Sequence, residues 1–528
     1  MAISFDKSRQ FVTICFRFGL LICAIHLFGC QRQSGEAGKT IEPSESSSTD
    51  TSTVATQEEL IPNSELWDAV YISGHQVGHT VTRESHLERA GKPALRTTQE
   101  SLIRVNRNNS PTEQRIRTSS LESAEGEIIE FDAMMTSGIS EMKFHGKKTG
   151  ANQLEIQQTA QDGRAMKTRI AIPPDCRGFF GTEQELRRRP LSPGESRTIP
   201  VLAPIINAVV SVEMTAKELE QTELIGTSER LLRIDVKNKM PSGQVIPSTM
   251  WVDKKNEIVK STLGSLQTNY RTSKEIALKQ TGDTFDLGND TMVSVSPPLK
   301  RPHGSRSIKY LARLSHKSPA GVFSNDSYQK VESKNESEAI ITVVATSPSS
   351  DEHFSSSSPP TVDDKTANSM VQSNHPLVQK MARRVVPSET DPWKIAIALE
   401  KLVHETVVDK NFSTALASAL EVANSKAGDC TEHSVLLVAL CRSRSIPARA
   451  AIGLVYVPSQ QAFGYHMWTE VWIADRWIPL DATLGQGGIG GAHLKVSHTN
   501  FSASNGFESF LPVLDLMGKL ELSVLEAN

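Results

Sequence analysis

The 528-residue sequence is poor in aromatic side chains, 5% in all. It shows no interleaving of aromatic and basic residues of the kind that stacks nucleic-acid bases. It has no surplus of charge of one sign either: 57 Lys and Arg against 60 Asp and Glu leave a formal charge of −3. That balance argues against a dedicated nucleic-acid binder, which carries a basic excess or stripe. Six cysteines are too few to build a disulfide scaffold in a chain of this length. No apolar run approaches the ~20 residues of a spanning helix, and no repeat recurs at a solenoid or propeller period. Apolar residues make up 38% and charged residues 22%. The chain can therefore supply roughly two to four domains, with unstructured stretches besides.

What is present begins with an address. Lys7 and Arg9 precede an apolar run from Phe18 to Phe28, with Arg17 just before it. Roughly 11 residues are too few to span a bilayer and suit the apolar region of an export signal. The run ends Leu27-Phe28-Gly29-Cys30. This resembles the lipobox of bacterial lipoproteins, with Phe28 where that pattern prefers a small residue. The resemblance implies a signal over residues 1–30, lipidation of Cys30 and anchorage at a membrane of the cell envelope. A plain secretory signal or an uncleaved anchor is the alternative. Residues 31–57 are Gly, Ser, Thr and Glu with almost no apolar content. They cannot bury enough surface to fold and read as a disordered tether.

Residues 58–290 read as a strand-rich, mostly antiparallel domain of unknown role. Short alternating runs recur between turn signals, as at Val70, Ile72, Val77 and Val81. Met250-Trp251-Val252 and Ile258-Val259 flank Asp253-Lys254-Lys255-Asn256, a hairpin-turn composition. Residues 213–221 are the best helical candidate in this block. His75, His79, His86 and Cys176 have no ligand-like spacing and read as surface or core. Residues 305–345 hold two more strand-like runs, which can close a small separate sheet. The Ser/Pro-rich stretch 346–370 reads as a linker or a long surface loop.

Residues 371–528 differ in texture. His375 to Val385 is helical in pattern. Asp391-Pro392-Trp393 starts a helix running to about Val408, with Asp as N-cap and Pro at its first position. Ser413 can cap another helix. Gly428-Asp429-Cys430 then precedes Val435 to Leu440, an apolar run without a polar face, so its helix should lie buried. Strands follow at Ala450–Val457, Tyr465–Ile473 and Trp477–Leu480.

A thiol at the start of a helix faces unpaired amide N–H groups and the positive end of the helix dipole. Both favour the nucleophilic thiolate. Cys441 lies on the same helix roughly 16 Å further on and reads as core. A thiolate needs a base, and the base needs an orienting group. His466, Trp468, Glu470 and Trp472 share one face of their strand. If the hairpin loop after it has two or four residues, Asp481 falls on that face, opposite His466 or one diagonal step away; an odd loop would flip it. Each residue alone has an ordinary structural reading. Their joint arrangement is what points to a site.

These residues resemble the transglutaminase-like superfamily of papain-related cysteine enzymes. The resemblance rests on Gly428-Asp429-Cys430-Thr431-Glu432-His433, Ile446-Pro447-Ala448-Arg449, His466-Met467-Trp468-Thr469-Glu470-Val471-Trp472 and Trp477-Ile478-Pro479-Leu480-Asp481-Ala482-Thr483. It covers residues from about 390 to 485. It implies an α+β C-terminal domain beside the strand-rich N-terminal one, with Cys430 as nucleophile, His466 as base and then acid, and Asp481 as orienter. It implies acyl transfer on amide bonds of a protein or peptide through a thioester, by hydrolysis or cross-linking, with no cofactor or metal. The Cys430 amide would serve as one oxyanion donor. The second is unassigned, since Phe412 stands where a polar aromatic would be sought. A non-catalytic envelope binding or scaffold protein retaining the fold is the alternative. Gly485 to Gly491 reads as a mobile loop beside the site. His493 and His498 read as structural or surface residues, His433 as packed against the sheet, and Glu432 as the partner of a nearby base.

Overall fold

The computed structural model describes residues 63–528 except 108–109, 138–139, 160–164, 204–207, 242, 265–266, 280–284, 316, 352, 355–357, 410–416, 503–507 and 515. The export signal, Cys30, the tether, Phe412 and Ser413 lie outside the described residues.

The N-terminal half builds one antiparallel sheet. Its strands are β1 (Ser64–Ile72), β2 (His75–Arg89), β3 (Lys92–Arg107), β4 (Ser110–Ser123), β5 (Ile128–Ser137), β6 (Ser140–Gly150), β7 (Gln153–Thr159), β8 (Ala165–Ala171), β9 (Ser196–Ala203), β10 (Ala208–Glu223), β11 (Ser228–Lys239), β12 (Val245–Val252), β13 (Ile258–Leu263) and β14 (Gln267–Thr272). Two meanders, β1 to β8 and β9 to β14, meet where β1 pairs with β14. A short helix, α1 (Gly181–Arg188), packs on this sheet, with Gly181 to Leu186 buried. Gln184 reaches Thr97 on β3, and Arg187 bonds Glu84 on β2 and Glu257 beside β13.

Residues 213–221 are strand, not helix. They are rich in helix formers, but Val212, Met214 and Ala216 alternate into the core at 0–1% exposure. β9 and β11 pair with β10 on either side. Two ladders and a buried face override local propensity. The helix-forming residues instead coincide with a bulge between Ala216 and Leu219.

The second sheet contains β15 (Val293–Ser296), β16 (Ser307–Arg313), β17 (Gln329–Ser333), β18 (Glu338–Val344), β19 (Ala448–Val457), β20 (Ala462–Ile473), β21 (Arg476–Leu480), β22 (His493–Thr499) and β23 (Glu521–Ala527). Its order is β17-β18-β16-β23-β15-β20-β19-β22, with β21 beside β20. The 305–345 strands are therefore not a separate sheet. Left alone, β16 would expose an unpaired edge; β23, from the end of the chain, pairs with it and continues the sheet. The 346–370 stretch is irregular but tied down. Trp477 Nε1 donates to the Ser358 carbonyl and Arg442 Nη1 to that of Thr366, each at 2.9 Å, and the Ala448 amide bonds the Asp364 carbonyl.

Helices α2 (Pro376–Arg384), α3 (Pro392–Thr406), α4 (Ala419–Ser425) and α5 (Cys430–Ser443) lie on this side of the molecule, α5 packing on β19 and β20 and the other three packing around α5. Asp391 caps α3 and Ser418 caps α4. Every residue of α5 from Cys430 to Arg442 is buried, as its unbroken apolar run requires. One hydrophobic cluster runs from this helix to the rim of the first sheet, where it includes Val70, Ile72, Ile103 and Val105.

Candidate active site

The start of α5 is set by a reciprocal cap. Asp429 accepts from the Thr431 amide at 3.0 Å, and Glu432 Oε2 accepts from the Asp429 amide at 3.0 Å. Glu432 therefore holds backbone amides, including that of Ala417, rather than a basic side chain. Burial and the neighbouring Asp429 carboxylate push the Glu432 carboxyl well above its ordinary pKa. Gly428 sits at φ +145°, and a Cβ there would lie 2.2 Å from Glu432 Cβ, so the sharp entry to the helix requires glycine. Cys430 is the first residue inside this cap and has 0% exposure. His433 Nδ1 donates to the Asp429 carbonyl at 2.6 Å.

α5 lies against β20, with Thr469 Oγ1 donating to the Ser434 carbonyl at 3.4 Å. The β20–β21 loop has two residues, Ala474 and Asp475, both at positive φ, the geometry of a tight hairpin turn. The resulting register pairs Thr469 with Leu480, which sets Asp481 one diagonal step from His466. Their side chains meet: His466 Nε2–H donates to Asp481 Oδ2 at 2.8 Å, both groups fully buried. That bond leaves Nδ1 as the ring nitrogen that can serve a sulfur. Burial alone would raise the Asp481 carboxyl. The charge of the His466 ring and hydrogen bonds from His466 and His493 outweigh it and hold the group well below its ordinary value.

The sequence reading missed several neighbours. His493, at the first position of β22, is buried and donates from Nε2 to the same Asp481 Oδ2 at 3.1 Å. It is not a bystander; His498, further along that strand, is exposed. Trp468 lies nearly parallel to the His466 ring, 6.2 Å between centroids. Its Nε1 donates to Tyr328 Oη at 3.2 Å, and Tyr328 donates to Glu470 at 2.6 Å. Glu470 in turn accepts from Arg449 and Lys495, each at 2.6 Å, and both cations also reach Asp326. Burial opposes the Glu470 charge, but Lys495 and Arg449 hold the carboxyl down at about 2. This closed ionic cluster backs the tryptophan that packs on His466, and the 305–345 segment supplies Tyr328 and Asp326.

Cys441 is buried, and burial pushes its thiol up to about 12, as it does for Cys176. Neither is primed to react. The glycine-rich loop is exposed from Gly485 to Gly487 and anchored at its two ends: the Gly485 amide bonds the Asp481 carbonyl at 2.8 Å, and Tyr310 donates to the Gly491 carbonyl at 2.9 Å.

Residues 379–482 match the model of the transglutaminase-like superfamily. This segment is a transglutaminase-like domain. The domain contains Cys430, His466 and Asp481, whereas His493 lies beyond the matched span. A comparison with curated proteins returns no match. Among solved structures, the chain is similar to a candidate cysteine protease from Cytophaga hutchinsonii at 16% identity, over 42% of this chain and 86% of that one, with a TM-score of 0.27. It is similar to a β-barrel-like protein of a domain of unknown function from Brucella abortus at 9% identity, over 40% and 97%, with a TM-score of 0.28. A candidate protease from Parabacteroides distasonis is 11% identical over 76% and 68%, with a TM-score of 0.19.

Proposed function

We propose that the protein is a cysteine enzyme of the cell envelope that cleaves amide bonds through a thioester. The carrying observation is the buried His466–Asp481 hydrogen bond on the strand against which the Cys430 helix packs. Cys430 Sγ, its proton passed to His466, attacks the carbonyl carbon of a peptide or carboxamide. The Cys430 amide donates to the oxyanion. His466 returns the proton to the leaving nitrogen as the C–N bond breaks. Water then attacks the thioester, giving its proton to His466 and its hydroxyl to the acyl group, and the thiol is restored. A second amine in place of water would give cross-linking; hydrolysis is the reading favoured here. The export signal and Cys30 lipidation belong to the same proposal. Cys30→Ser is expected to move the protein from the membrane to the soluble fraction, and an unchanged membrane fraction would refute the anchor.

Iodoacetamide labelling tests the chemistry. Near neutral pH, Cys430 should alkylate well before Cys441 and Cys176, and His466→Ala should slow it. Turnover of glutamine-containing peptides, with and without added amine, should vanish in Cys430→Ala. A second reading, a non-catalytic scaffold, draws on the 0% exposure of Cys430, His466 and Asp481. Equal, sluggish labelling of all three thiols would favour it.

A further inference from the structure

A thiol acyl-transfer site needs one imidazole on its carboxylate; this one has two. His466 Nε2 and His493 Nε2 both point at Asp481 Oδ2, from 2.8 and 3.1 Å. The donor atoms of all three residues lie within 4.8 Å of one another, every residue is buried, and this is the only such group among the described residues. Tetrahedral zinc, bound at about 2.0–2.1 Å, keeps its donor atoms about 3.3 Å apart, so the 2.8 and 3.1 Å contacts seen here would open by only about 0.2–0.5 Å to admit it. A third imidazole stands near. His303 lies 5.9 Å from His493 between ring centroids, and its solvent-shielded Nδ1 has no hydrogen-bond partner among the described residues. Two imidazoles and a carboxylate, with a further nitrogen or solvent to complete four donors, form a set suited to a borderline divalent cation such as zinc.

We propose that His466, Asp481 and His493 form a zinc site that switches the enzyme off. The switching role rests on the catalytic reading above; the site itself does not. In the apo state each Nε2 carries a proton bonded to Asp481. For zinc to take the Nε2 lone pairs, each ring must shift to its other tautomer, the Nε2 proton passing to solvent while Nδ1 takes one up, so both rings stay neutral with their proton on Nδ1. His466 then cannot collect the thiol proton, and Asp481 is turned from steering the ring to holding the metal.

The test uses the full chain, stripped with a chelator. Zinc titration should show one equivalent bound per chain, and cobalt should give visible ligand-field bands of tetrahedral intensity without a sulfur charge-transfer band. His493→Ala and Asp481→Asn should each weaken binding by about 10-fold or more. The exposed His498→Ala should bind as the parent does, and so should Cys430→Ser. Zinc should also slow Cys430 alkylation, and chelator should restore it. If a variant does not fold, zinc-dependent protection of the unsubstituted chain against heat reads the same site.

No saturable binding, unchanged binding in His493→Ala, or binding lost only in Cys430→Ser would each overturn the site. The two proposals fail separately. Labelling that depends on His466 with no metal bound leaves the enzyme and removes the switch. Metal bound with the stated ligand dependence, but no peptide turnover, leaves the site and removes the enzyme.

Discussion

Asp481 serves four donors with two oxygens. Oδ2 takes His466 and His493, and Oδ1 takes the amides of Thr483 and Leu484 at 2.9 and 3.3 Å. Asparagine has the same shape but only one acceptor oxygen. If that oxygen stays with the loop amides, its NH₂ faces His466 Nε2–H and drives the ring to the tautomer protonated on Nδ1. Asp481→Asn is therefore expected to lower peptide turnover by about 10²–10⁴-fold, mostly in kcat. Full activity would contradict the orienting role. Glu400, on α3, offers a pH test. It is buried, and burial followed by repulsion from Asp481 raises its carboxyl from 4.5 to about 8. The folded chain thus holds a proton that the unfolded chain releases near pH 4.5. The stability this contributes is complete below about 4.5 and is lost as pH rises through about 8. Glu400→Gln should raise Tm by about 1–3 °C above pH 8 and leave it unchanged near pH 4.

At the scale of elements, the parts legible in the sequence are those set by local rules. The cap that places Cys430 and the hairpin that places Asp481 each need only a few consecutive residues. Parity along β20 and a two-residue turn sufficed to bring Asp481 to His466. His493 could not be read that way. It reaches Asp481 because β22 pairs with β19, Val455 opposite His493, on the side away from β20. That pairing spans a loop whose path no local signal fixes. The alternation of His493 and Lys495 on one strand face was the available hint, since His466 and Glu470 alternate likewise on β20. The 213–221 segment failed for the opposite reason, a local preference overruled by two neighbouring strands. Gly453 tests how closely these strands are fitted. It pairs with His466, and a Cβ there would lie 2.0 Å from the Leu494 carbonyl oxygen and 2.9 Å from the Trp468 ring. The nearer contact is backbone and cannot swing away. Gly453→Ala is expected to cost about 1–3 kcal/mol in urea unfolding and to slow Cys430 alkylation. An unchanged midpoint would mean that β22 is free to shift.

For the whole molecule, the role of the N-terminal sheet was the part least legible, and one ion pair gives it content. Arg107, the last residue of β3, donates from Nη2 to Asp429 Oδ2 at 2.6 Å, with side-chain exposures of 2% and 1%. Asp429 caps α5 and precedes Cys430, so a side chain 322 positions away bears on the residue that fixes the nucleophile. The hydrophobic cluster shared by both halves includes Val105 and Cys430, close in sequence to the two members of this pair. Removing one partner of a buried pair leaves the other charge without compensation, at about 3–5 kcal/mol. Arg107→Ala should therefore destabilise the C-terminal half although the substitution lies in the first sheet. It should also reduce Cys430 alkylation, because the freed Asp429 carboxylate repels a thiolate beside it. Adding Asp429→Asn removes the stranded charge, so the double variant should be less destabilised than the sum of the singles. Strict additivity would show that the two side chains do not interact. Coupling above about 1 kcal/mol, with both halves unfolding in one transition, would make the strand-rich half a structural part of the active centre and not cargo carried beside it.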